Sequence, residues 1–201
     1  MNEKDYDFAG LVKKCKEIRE KVQYRDLFEN GYDRFYLSAK DIPFVGYFQG
    51  YFAQVQRKKH KIKESDKLRS NCKNYLEIYR DDTELIQIVN YCKGRIDCIH
   101  QCYHVDDKTY LIPFSSEGGF YPTYTYVDVY DGLELIEEYA ISGNQIIFDK
   151  YKRMDENQME FARINYVVGG KVPILEERRG IIIVDTLDYK ETYYDDWLNH
   201  R

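Results

Sequence analysis

The sequence predicts an α+β protein that is mostly β: an antiparallel meander of about nine or ten hairpin-connected strands, strongly curved, with N-terminal helices packed on it. Three observations predict it. From Tyr75 onward, turn-forming pairs interrupt the chain about every 12 residues. Between those breaks, apolar and polar residues alternate with period 2. The chain also contains 21 Tyr, a residue that packs on pleated surfaces and keeps a polar tip.

Taken in order, the N-terminus reads as an amphipathic helix. Phe8, Leu11, Val12, Cys15, Ile18 and Val22 recur at spacings of three and four. Asp5 or Asp7 is a candidate cap, and Asn30-Gly31 marks a turn. Residues 41–63 fit a helix opened by Asp41 and Pro43, with Phe44, Phe48, Tyr51, Phe52 and Val55 in helical register. Gly46 and Gly50 inside that run also suit a hairpin. Arg57 to Arg69 is a basic run, read as a solvated helix end and loop because no nucleic-acid motif accompanies it.

The breaks that follow include Asp81-Asp82, Lys93-Gly94, Asp106-Asp107, Gly118-Gly119, Asp131-Gly132, Gly143-Asn144, Asp155-Glu156, Gly169-Gly170 and Arg179-Gly180. A helical alternative would place Gly repeatedly in helix interiors, which costs stability each time. Alternation puts Ile86 and Ile88 on one face and Leu85, Val89 and Tyr91 on the other. It groups Leu133, Leu135, Tyr139 and Ile141, opposite Glu134, Ile136, Glu138 and Ala140. Ala162, Ile164, Tyr166 and Val168 oppose Phe161, Arg163, Asn165 and Val167. One face of such strands is the better packed. Ile181-Ile182-Ile183-Val184 is apolar on both faces and reads as a central strand. So long a meander must curl or be covered. A bent sheet under helices is favoured over a closed up-and-down barrel, because the N-terminal helix can cover a face. Residues 1–74 are then a helical segment on a sheet of residues 75–201, together one structural domain.

At 201 residues, 43% hydrophobic and 32% charged, the chain is globular. Its net charge of -5 conceals an asymmetry. Residues 1–80 carry 18 Lys/Arg against 12 Asp/Glu, and residues 81–201 carry 12 against 23. An acidic second part repels nucleic acid and attracts basic partners. Residues after Met1 lack the basic and apolar regions of a secretory signal, and no apolar run approaches the roughly 18 residues of a membrane span. The 5 Cys read as free thiols. A cytoplasmic location is expected.

Cys98-x-His100-x-Cys102-x-His104 is the best local constellation. On a strand its side chains share one face at intervals of about 7 Å, and Cys and His are zinc ligands. Should metal bind, His100 and Cys102 are the expected ligands, with a second strand completing the set. The plainer account packs both cysteines in the core and hydrogen-bonds the histidines. The pairs Asp81/Asp82, Asp106/Asp107, Glu137/Glu138, Glu176/Glu177 and Asp195/Asp196 read mostly as solvated turn chemistry. There is no nucleophile elbow, P-loop, dinucleotide fingerprint or zinc-protease helix, and no catalytic or cofactor-binding residue is assigned. The tail offers Tyr193, Tyr194, Asp195, Asp196 and Trp197, aromatics among carboxylates, as partner-binding residues.

Asn90-Tyr91-Cys92-Lys93-Gly94-Arg95-Ile96-Asp97, followed by Tyr103 to Tyr110, resembles the hairpin repeats of MORN-type proteins. More specifically it resembles the bacterial antitoxin-like proteins of the YwqK family. Tyr130-Asp131-Gly132-Leu133, leading to Tyr139 and Gly143, is a looser copy. The sequence departs from the pattern at Cys98 and Asp107, where Gly is usual. The resemblance implies a non-enzymatic binding protein. The leading expectation is thus an immunity-protein or antitoxin-like module that occludes a basic protein partner. The alternatives are a small-ligand-binding β-barrel and a zinc-dependent or hydrolytic enzyme centred on residues 92–104.

Overall fold

Gly and Asp set where the strands end. The structure, a computed structural model, describes residues 7–25, 32–38, 50–62, 64–82, 84–171 and 174–192. Helix α1 (Phe8–Lys21), strand β1 (Asp33–Ser38), helix α2 (Tyr51–Lys59) and strand β2 (Glu64–Ser65) come first. Ten strands then follow without interruption: β3 (Tyr75–Asp81), β4 (Glu84–Cys92), β5 (Arg95–Val105), β6 (Lys108–Phe114), β7 (Thr125–Asp131), β8 (Glu134–Ser142), β9 (Gln145–Arg153), β10 (Gln158–Val167), β11 (Ile174–Ile183) and β12 (Asp188–Thr192).

All twelve strands form one antiparallel sheet in the order β12 to β3, then β1 and β2. The expectation of a helical N-terminal segment is corrected here. β1 pairs with β3 from Asp33↔Arg80 to Ser38↔Tyr75, so residues before Tyr75 extend the sheet. The sheet is neither closed nor strongly curled, which corrects the expected curvature and excludes the barrel. Helices lie on both faces, so apolar surface is covered without wrapping the sheet on itself.

The first face packs on α1. Its predicted stripe is buried: Phe8, Val12, Cys15 and Ile18 meet Ile112, Val127, Tyr139, Ile146, Phe148 and Ile164. Asp7 caps the helix by accepting the Gly10 N–H at 2.8 Å. Full burial of such side chains stabilises by about 1.5–3 kcal/mol each, so tertiary packing holds α1 in place. The second face carries two apolar clusters. One contains Leu37, Ile78, Ile88, Leu111, Tyr126 and Ala140. The other joins Val55 of α2 to Leu135, Tyr151, Met159, Phe161 and Ile182.

Two face assignments change for one reason. In β4 and β8 an extra residue sits just after the turn. Tyr79 faces Gln87 but Arg80 faces Leu85, and Val129 faces Glu137 but Tyr130 faces Leu135. These bulges at Ile86 and Ile136 reverse the alternation. Leu85 therefore joins Ile88, and Leu135 leaves the face of Tyr139. The run 181–184 is also corrected: β11 lies next to the edge strand β12, and Ile182 is buried by α2 and its cluster. Within 41–63, residues 51–59 are helical and 41–49 lie outside the described residues.

Candidate functional site

An up-and-down meander sorts its turns alternately to two ends. One end collects the turns 81–84, 106–107, 131–134, 154–157 and 184–187; the other collects 93–94, 115–124, 143–144 and 168–171. At the first end the described residues are Asp81, Asp82 and Glu84, then Asp106 and Asp107, Asp131 and Glu134, Asp155 and Glu156, and Asp185, with no Lys or Arg in those turns. Among the described residues, the turns of the second end carry Lys93, Glu117 and Lys171 as charged residues, with Arg95 and Lys73 beside the first of them. Among flanking cations, Lys108 pairs with Asp107 at 2.7 Å and Arg153 with Glu134 at 2.9 Å. Arg80 pairs with Glu64. The acidic end keeps a carboxylate excess, most of it exposed.

On the second face, a cleft of about 880 Å³ opens at this end, lined by Phe35, Asp82, Glu84, His104, Thr109 and Tyr130 among others. Inside it, His104 Nε2 lies 2.8 Å from Glu84 Oε1, and Nδ1 lies 2.9 Å from Thr109 Oγ1. With Glu84 accepting from Nε2–H, Nδ1 accepts the Thr109 hydroxyl proton. This hydroxyl–imidazole–carboxylate relay polarises the Thr109 oxygen, although Thr109 is buried and sits opposite His104, one pair in from the 106–107 turn.

The predicted cluster divides in two. His100 is buried, and its Nε2 lies 2.9 Å from the Tyr124 carbonyl, leaving Nδ1 near Cys98 Sγ at 3.8 Å. Burial lowers His100 to about 4 and raises the Cys98 thiol to about 11, so both are neutral near pH 7. Cys102 Sγ instead lies 3.9 Å from His104 Nε2, and burial pushes this thiol up to about 12. Among the described residues, no three His, Cys, Asp or Glu side chains are grouped to hold a metal ion. Tyr193, Tyr194, Asp195, Asp196 and Trp197 lie outside the described residues.

A second acidic feature lies just inside the rim. Thr109, Asp128, Glu138, Asp149 and Arg163 are successive cross-strand neighbours from β6 to β10. This charged seam separates the two apolar clusters of the second face. Asp149 accepts from Arg163 Nε at 2.7 Å and Nη2 at 2.5 Å, and Glu138 accepts the Gly50 N–H at 3.2 and 3.3 Å. Gly50 is the N-cap of α2, where the helix dipole favours a carboxylate. A Cβ there would fall 2.1 Å from the Tyr151 hydroxyl oxygen, so the close approach requires glycine. Burial raises Asp128 to about 7.

Single-residue inspection misses both features. Asp in a turn and Glu on a strand each look ordinary alone. Parity of the hairpins is the signal for the rim, and cross-strand register is the signal for the seam.

No family model matches the chain, and no curated protein or solved structure is significantly similar to it.

Proposed function

We propose that the protein is a non-enzymatic binding module of the immunity-protein or antitoxin kind, which uses the acidic end of its sheet to occlude a basic protein, such as a nuclease, in the cytoplasm. The sorting of carboxylates to one end carries this reading. Both ends need turns, and Asp suits turns at either end, so turn chemistry alone predicts similar acid content at the two. The imbalance supplies a directed negative field that speeds encounter with a cationic surface. The test is affinity capture from native cells at low and high salt. The expected partner is basic and is released as salt rises, because exposed pairs are screened. Charge reversal at Asp195 and Asp196 reports whether the C-terminal tail takes part. Recovery of only acidic or salt-insensitive partners contradicts the reading.

One observation favours a second reading, hydrolysis: the Glu84–His104–Thr109 relay in an open cleft. A phosphonate that traps activated hydroxyls would then modify Thr109, and His104→Ala would abolish the adduct. Absence of any adduct on the native protein removes this alternative.

A further inference from the structure

We infer that Leu133 and Met154 form the apolar anchor of the acidic-end interface, seating in an apolar depression on a partner whose surrounding surface is basic. This rests on the binding reading proposed above and adds to it the centre of the contact.

Leu133 is 102% exposed and Met154 is 55% exposed, and they occupy the tips of neighbouring hairpins. The fold gives no reason for leucine at 133. Gly132 has φ 60°, whereas Leu133 is not among the positive-φ residues. This pattern fits a two-residue type II′ turn, whose second position takes polar residues freely. A fully exposed Leu contributes nothing to the core, and its apolar surface lowers free energy only when another surface covers it.

Both tips are held in place. Arg153 bridges the two hairpins through Glu134 at 2.9 Å and donates from Nη1 to the Glu156 carbonyl at 3.2 Å. Asp155 Oδ1 accepts the Asn157 N–H at 2.8 Å, bracing the turn beside Met154. Adjacent hairpins lie two strand spacings apart, about 10 Å, so the two side chains span one side-chain-sized depression. A preordered apolar pair rimmed by Asp131, Asp155 and Glu156 matches the anatomy of a contact centre: apolar middle, charged rim, little ordering cost. Complementarity assigns the basic surroundings of the partner.

A photo-crosslinking residue is placed at 133, 154 or, as a control at the opposite end, Phe120 in the full chain expressed in its native cells. Positions 133 and 154 should capture the same basic protein and position 120 should not. That protein, purified, becomes the probe. Leu133→Ser and Met154→Ser should each weaken its binding about 30-fold, as hot-spot truncations do. Melting temperature should stay within about 2 °C, as for other exposed turn positions. If charge reversal at Asp155 and Glu156 abolishes binding while both Ser variants bind normally, the anchor is wrong and the acidic-end reading stands. If no variant alters binding, or the crosslinked protein is acidic, both fail.

Discussion

The two ends of the sheet meet the same folding demand with different chemistry. The end with Lys93-Gly94 and Gly143-Asn144 turns on glycine and asparagine, and the second-face row one step inside Ser142 and Gln145 (Tyr126, Ala140, Ile147) is apolar. The opposite end turns on aspartate, and its acidity continues inward through Asp128, Glu138 and Asp149. Both ends close hairpins of the same sheet. The acidity of one is therefore an addition to what the fold needs, concentrated where the exposed tips and the cleft also lie.

The largest expected effect comes from the seam. Arg163→Met leaves Asp149 buried without its bidentate guanidinium and should destabilise by about 3–5 kcal/mol in urea unfolding. Replacing Asp149 and Arg163 together with apolar residues should recover most of that loss. If the single and double variants prove equally unstable, the seam is not a set of compensated charges, and the contrast between the ends shrinks to the surface.

Next comes a pH effect. Asp128 has its folded pKa raised from 3.8 to about 7 by burial. The folded state then holds this proton more tightly than the unfolded state. The associated stability is fully present below about pH 4 and is lost as pH rises through about 7. Asp128→Asn should remove that loss, so the variant gains on the parent between pH 4 and pH 8. His100 has its folded pKa lowered to about 4 and works in the opposite sense below pH 6.5. The difference between variant and parent isolates Asp128. A constant difference across this range would show that Asp128 does not titrate with folding.

How much of this was legible in the sequence depended on the range of the signal. Gly and Asp-Gly breaks are local, so the turns from 81 to 171 could be read directly. The α1 stripe could too, since Phe8, Val12, Cys15 and Ile18 repeat with the helix. The break read at Arg179-Gly180 is instead the middle of β11, where Gly180 pairs with Phe161 and Glu191, and the turn at 184–187 carries no glycine to mark it. β1 carries no local signal: Asp33–Ser38 is short and becomes a strand only by pairing with β3. Bulges at Ile86 and Ile136 defeated simple alternation, because an extra residue is visible only in the pairing. Glu138 looked solvated because nothing local shows that α2 covers its face. The rim was legible in principle: each acidic turn was visible, and counting hairpins as odd or even would have sorted them.

The smallest effect gives the cleanest comparison of the ends. Lys93 and Asp106 both hold left-handed backbone, with φ 53° and 56°, one at each end. Replacing either with Gly relieves left-handed backbone and should raise stability, by about 0.5–1 kcal/mol at Lys93 and by less at Asp106, because Asp tolerates that region better. Lys93→Gly should leave partner binding unchanged, whereas Asp106→Gly should weaken it by removing a rim charge. Equal binding by the two would blur the distinction.

The most direct measurement compares charge reversal at the two ends in the same capture experiment. One variant carries Asp106→Lys, Asp107→Lys, Asp155→Lys and Glu156→Lys; the other carries Lys93→Glu and Lys171→Glu. Quantitative capture of the basic partner should collapse for the first variant and persist for the second, with both folded by circular dichroism. Undiminished capture by the first, or equal loss in both, would contradict a binding function located at the acidic end.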